Sequence, residues 1–128
     1  MKLLIFYVDK FAFETSQKGL DTVEDLDITE GIEKAIIGFI NAEEKDEENQ
    51  GYVETKLVKN LKWAARKNET NRIMLHSFNH LSISSAAPEF TKELFDRVEQ
   101  RLADSDYQTS QTPFGYFLNL DMQARANH

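Results

Sequence analysis

Phe78-Asn79-His80-Leu81-Ser82-Ile83-Ser84-Ser85 decides how this chain is read. An apolar run, Arg72-Ile73-Met74-Leu75, leads into it over a strand spanning residues 72–77. Away from it runs an amphipathic pattern from Pro88 to Leu102, with Phe90, Leu94, Val98 and Leu102 at four-residue spacing and Phe95 beside them. Pro88 suits the first turn of a helix and Glu89 the positive end of its dipole. His80 therefore falls where a strand hands over to a helix. In α/β folds ligands collect there, outside the carboxyl ends of strands. A histidine can gain or lose a proton near neutral pH.

Outward from this stretch, the remaining periodicities predict a single α/β domain over residues 1–128, with a mixed β-sheet and two main helices. Leu3 to Val8 is a continuous apolar run, as expected of a central strand. Asp9-Lys10 interrupts it, and Phe11, Phe13 and Thr15 then alternate, which predicts a second strand and a hairpin. Ala35 to Ile40 is a third strand, where Gly38 implies a bulge or a close backbone approach. From Tyr52 to Lys67 the period becomes helical, with Val53, Leu57, Leu61 and Ala64 on one side and Trp63 near its edge. Tyr107 to Thr109 is expected to be a short strand, Thr112-Pro113-Phe114-Gly115 a turn, and Tyr116 to Met122 a final strand.

Composition narrows the function. The chain has 128 residues, no Cys and a formal net charge of -7, which argues against a broad nucleic-acid surface and excludes disulfides and thiolate metal sites. No apolar run is long enough to span a bilayer, so no membrane partner is expected and a cytoplasmic location is. The acids cluster in Asp21, Glu24, Asp25, Asp27 and Glu30, and again in Glu43, Glu44, Asp46, Glu47 and Glu48; both segments read as solvated loops. Lys56, Lys59, Lys62 and Arg66 share one face of the first helix. Two readings stay open for them: a solvated helix surface, or a stripe that contacts phosphates.

Three site chemistries fit poorly. His76 and His80 on an extended chain would stand about 13 Å apart, too far to share one metal ion, so no metal site is expected. Ser82, Ser84 and Ser85 lack the turn of a hydrolase nucleophile and read as loop and cap residues. No glycine-rich phosphate loop occurs and no cofactor is expected.

Several segments, taken in order, resemble the archaeal threonyl-tRNA synthetase editing domain. They are Phe78-Asn79-His80-Leu81-Ser82, then Pro88, then Leu94-Phe95-Asp96-Arg97-Val98, then Thr112-Pro113-Phe114-Gly115-Tyr116, with Ala35 to Asn49 upstream. The resemblance implies a D-aminoacyl-tRNA deacylase-like fold, here as a stand-alone chain. It implies a pocket for the 3′ end of aminoacyl-tRNA, hydrolysis of serine wrongly attached to threonine tRNA, and a homodimer. A threonyl-tRNA synthetase is an implied partner. On that basis His80 would be the catalytic group, holding the ribose or the attacking water. Asn41, Ala42, Phe78, Asn79, Tyr116 and Phe117 would line the substrate. Beside the resemblance, the phosphate-contacting reading of Lys56, Lys59, Lys62 and Arg66 would add a contact to the tRNA.

Two departures bear on activity. The family carries a lysine where this chain has Leu118, and a leucine supplies neither positive charge nor hydrogen bond to an ester. The family also continues into a segment carrying an active-site glutamate. The same pocket could therefore serve as a non-catalytic binding module for an amino acid, a nucleoside or a synthetase partner.

Overall fold

The computed structural model describes residues 1–18, 20 and 29–124. Among the described residues there are five strands and two helices: β1 (Lys2–Lys18), β2 (Thr29–Asn41), α1 (Gln50–Lys67), β3 (Arg72–Ser77), α2 (Pro88–Asp104), β4 (Gln108–Gln111) and β5 (Tyr116–Ala124). A short 3-10 helix, Glu44–Glu48, precedes α1. The strands form one sheet in the order β4-β3-β2-β1-β5. β1 runs antiparallel to β2 and β5, and β2–β3 and β3–β4 are parallel, so the sheet is mixed as expected.

The expected hairpin at Asp9-Lys10 is instead one 17-residue strand. Its interruption is a bulge: in the ladder to β5 the register slips by one residue between Val8 and Lys10, and again between Thr15 and Gln17. Opposite the first bulge, Lys34 of β2 takes a φ of 49°. A one-residue bulge reverses which parity faces a given side. Phe6 and Val8 before it, and Phe11 and Phe13 after it, thus all reach the same hydrophobic cluster.

The long β1–β2 ribbon bends back over the sheet. Phe11 pairs with Ile32, seven residues before Phe39 on β2, which would be about 23 Å in a straight strand. Yet the Phe11 and Phe39 rings lie 6.5 Å apart. The link between β4 and β5 makes the same demand. Gln111 aligns through Leu75 and Gly38 with Ile5, whereas Tyr116 aligns with Lys18. Along a straight β1 those levels differ by about 43 Å. The five Cα steps from Gln111 to Tyr116 span at most about 18 Å. Curling is therefore obligatory, and the bulges are where the strand accommodates it.

Each face of the sheet has its own core. On the outer face α1 and α2 bury Leu57, Leu61, Leu94, Phe95, Val98 and Leu102 against Ile36, Ile40, Ile73 and Leu75. On the inner, concave face Val8, Phe11, Phe13, Ile37, Phe39 and Met74 pack together, with Phe78, Leu118 and Met122 at the margin. Gly38 provides the close approach its position implied, because α1 lies against it. A Cβ there would stand 3.1 Å from Leu61 Cδ2.

The charged connector after β2 is not a solvated loop throughout. Glu43 and Asp46 are buried, and both pair with the Met1 ammonium at 2.6 and 2.7 Å. Of the first acidic cluster, Glu30 is an exposed residue of β2; Asp21, Glu24, Asp25 and Asp27 lie outside the described residues. Among the described residues no helix is long and apolar enough to cross a membrane.

Candidate functional site

A cleft of about 390 Å³ opens at the carboxyl ends of β3 and β4, inside the curl of the sheet. That volume is in the range of pockets for small ligands. One wall is His76 to His80, and the opposite wall is Tyr116, Phe117, Leu118 and Leu120 of β5 with Leu20. The connector Thr112–Gly115, Ala86 and the start of α2, at Pro88 and Thr91, close its ends. β3 and β5 are not neighbours in the sheet; only its curvature lets them face each other.

Five of the expected site residues come together here: Phe78, Asn79, His80, Tyr116 and Phe117. His80 is exposed at the rim, its ring set edge-on to Phe78 with centroids 5.1 Å apart. Phe117 remains 52% exposed, leaving a large aromatic surface open to whatever enters. Leu118 stands on the β5 wall and packs against the inner core cluster.

Asn41 and Ala42 do not line the cleft, contrary to expectation. Both are buried, Asn41 completely. Asn41 Oδ1 accepts hydrogen bonds from the Leu81 and Ser82 amides at 3.1 and 2.9 Å. Its Nδ2 donates to the Ala42 and Ser84 carbonyls at 3.0 and 3.1 Å. The Ala42 carbonyl also accepts from the Ala86 amide at 2.9 Å. A buried amide that spends both donors and its acceptor on the backbone fixes the path of a loop. Asn41 and Ala42 thus hold the loop that follows His80, from behind.

The serines complete that support and do not cap α2, whose N-cap is Ala87. Ser82 Oγ donates to Glu43 Oε2 at 2.8 Å, and Ser84 Oγ accepts from the Glu44 amide at 3.0 Å. Glu43 in turn holds the Met1 ammonium. Hydrogen bonds from that ammonium and from the Ser82 hydroxyl draw the Glu43 carboxyl down to about 2.

His76 belongs to the cleft although sequence reasoning weighed it only as a metal ligand. Strand alternation could have placed it, since Met74, His76 and Phe78 share a face. Its Nδ1 lies 2.8 Å from Thr112 Oγ1, and Phe39 packs edge-on against the ring at 4.9 Å. Burial pushes its pKa down to about 4, so His76 is neutral at pH 7. Among the described residues no three His, Asp or Glu side chains cluster as a metal site would require. The described lining contains no Asp, Glu, Lys or Arg. What it offers is imidazole, hydroxyl, amide and backbone groups between aromatic and aliphatic walls. Such a site suits a neutral, hydrogen-bonding ligand with a planar ring.

Of the lysine stripe, Lys56, Lys59 and Arg66 are exposed on α1. Lys62 is half-buried and donates to Ser105 Oγ at 2.8 Å, which ties α1 to the end of α2.

A family model describing the archaea-specific editing domain of threonyl-tRNA synthetase matches residues 1–127. The threonine–tRNA ligase of Thermococcus kodakarensis is 29% identical over 99% of this chain, and that of Methanopyrus kandleri 30% identical over 91%. These alignments take in 21% and 19% of the ligases, so the chain spans about a fifth of the length of the curated relatives it matches. Among solved structures, a c-Myc DNA unwinding element binding protein superposes with a TM-score of 0.63 at 14% identity, covering 96% of this chain and 91% of that one. At that identity the likeness concerns the fold alone.

Proposed function

The chain belongs to the archaea-specific editing domain family of threonyl-tRNA synthetases, and from that premise we propose that its cleft receives the 3′ end of an aminoacyl-tRNA and hydrolyses the ester of serine mischarged onto threonine tRNA. The observation that carries this reading is the uncharged, aromatic-walled cleft with His80 at its rim. Phe78, Tyr116 and Phe117 offer surfaces for the terminal adenine, and ring stacking is indifferent to which polar groups surround it. Thr91, Thr112, Asn79 and backbone groups face the sugar and the amino acid.

In the proposed step, water adds to the ester carbonyl carbon. The bond from that carbon to the ribose oxygen breaks, and free serine leaves. The proton lost by the water ends on the ribose oxygen. In this reading His80, which lines the cleft, orients that water or the ribose, and the neighbouring ribose hydroxyl relays the proton.

Leu118 favours a second reading. A site with no cation beside the developing oxyanion loses one source of transition-state stabilisation. The same cleft would then bind the aminoacylated end without turning it over. Measuring serine release from seryl-tRNA(Thr) separates the two. Release faster than in buffer, abolished by His80→Ala, supports the hydrolase. Unchanged release at saturating protein, with tight binding of the same tRNA, leaves the binding module.

A further inference from the structure

The exposed face of α1 carries two aromatic rings among its cations. Tyr52 is 69% and Trp63 58% exposed. At 100° per residue they share a sector with Lys56, Lys59, Arg66 and Lys67, opposite the buried Val53, Leu57, Leu61 and Ala65. Lys56 Nζ stands 5.8 Å from the Tyr52 ring centroid and Lys67 Nζ 4.8 Å from that of Trp63. α1 holds five of the chain's 15 Lys and Arg residues and one of its 22 acids. That acid, Glu54, is turned away and engaged by Arg97 and Arg101 of α2 at 2.6 and 3.0 Å. Lys62, bonded to Ser105, belongs to the α2 side as well.

We propose that this face, Tyr52, Lys56, Lys59, Trp63, Arg66 and Lys67, is an RNA-binding surface, with the cations on phosphates and the two rings as stacking platforms for unpaired bases. Charge complementarity argues for a polyanion: on a chain of net charge -7, a patch with cations alone is set apart from its surroundings. The interleaved aromatics argue for nucleic acid over an acidic protein, because alternating cations and rings match alternating phosphates and bases. From Tyr52 to Arg66 the helix rises about 21 Å, enough for several nucleotides.

The surface also begins at the right end of the molecule. α1 starts beyond the carboxyl end of β2, and β3, parallel to β2, delivers the His80 loop at that same end. Tyr52 lines a hollow with Met1 and Asp46, and the Met1 ammonium is joined through Glu43 to Ser82, two residues after His80. This proposal deepens the reading of the cleft as a tRNA 3′-end site: the end would enter the cleft while the body of the same RNA lies along α1.

The test is binding of uncharged tRNA across a salt series, by fluorescence anisotropy, beside turnover or binding of a short aminoacylated 3′ fragment that lacks the tRNA body. Lys59→Gln with Arg66→Gln should weaken tRNA binding about tenfold at low salt and lower the salt slope by roughly 1.5. Trp63→Ala should weaken it several-fold, and Trp63→Phe should restore most of the loss. Handling of the short fragment should not change in any of these variants. Unchanged tRNA affinity and salt slope would overturn the proposal and leave α1 a solvated face. Competition by polyglutamate as effective as by tRNA would overturn it too, in favour of an acidic protein partner. Failure of the parent chain to bind the fragment while it still binds tRNA through α1 would count against the cleft and not against this surface.

Discussion

Asn41 Oδ1 and the Ser82 amide, 2.9 Å apart across a sequence separation of 41 residues, fasten the loop that bears His80 to the end of β2. The bond is one of four that Asn41 makes with backbone groups of two segments. Asn41→Ala should therefore strand buried amides and carbonyls. A loss of about 2–4 kcal/mol in urea unfolding is expected. At temperatures where the variant stays folded, ligand affinity at the cleft should fall as well, because the loop loses its post.

Acid should unfold the protein in two separable windows. The folded-state pKa of His76 is about 4 against a usual 6.5, so the unfolded chain binds the proton first and stability declines as pH falls from 6.5 to 4. Glu43 is depressed to about 2 from 4.5, so its contribution is complete above 4.5 and is lost between there and 2. Melting temperature followed against pH should show both. His76→Gln should flatten the upper window only, and Glu43→Gln the lower only.

Leu118→Lys places an ammonium on the β5 wall of the cleft, its stem able to lie along the apolar surface that Leu118 now covers. If the cleft hydrolyses the seryl ester, release should rise roughly tenfold or more. Folding stability should fall by about 1 kcal/mol from the lost burial. Leu118→Met, which keeps the shape without charge, should leave the rate where it was.

At Gly38, α1 lies close against the sheet. Gly38→Val would drive its side chain into Leu61, which is fully buried and has no space to retreat into. Overpacking of that kind costs about 1–3 kcal/mol, readable as a lower denaturation midpoint with an unchanged slope.

Much of the architecture could be read from periodicity. The cores of both helices and the strand before His80 are local patterns that burial follows, and in the alternating final strand it follows them except at Leu120, which is exposed. Asp9 marks a bulge where its sequence predicts a turn, because the two look alike in one dimension: each breaks the alternation and restarts it. Only the facing strands reveal that the chain continues. Glu43 and Asp46 depart from the expected solvated loop for another reason. Their partner is the amino group of Met1, which belongs to no side chain and leaves no mark in residue composition. Asn41 lies in the expected neighbourhood but behind the loop and not on the cleft. A sequence shows that a polar residue ends a strand; it does not show whether that residue faces a ligand or the loop that frames one.

The four-residue link Thr112–Gly115 joins the two edges of the sheet, β4 and β5, which do not pair with each other among the described residues. The cleft is thus the seam of an unclosed barrel. Its two walls meet only after every strand between them has docked, so the pocket should assemble among the last events of folding and be the first to part on partial unfolding. A ligand that touches both walls would act as a stitch across that seam. Amide hydrogens of β5 should then exchange more slowly when the cleft is filled.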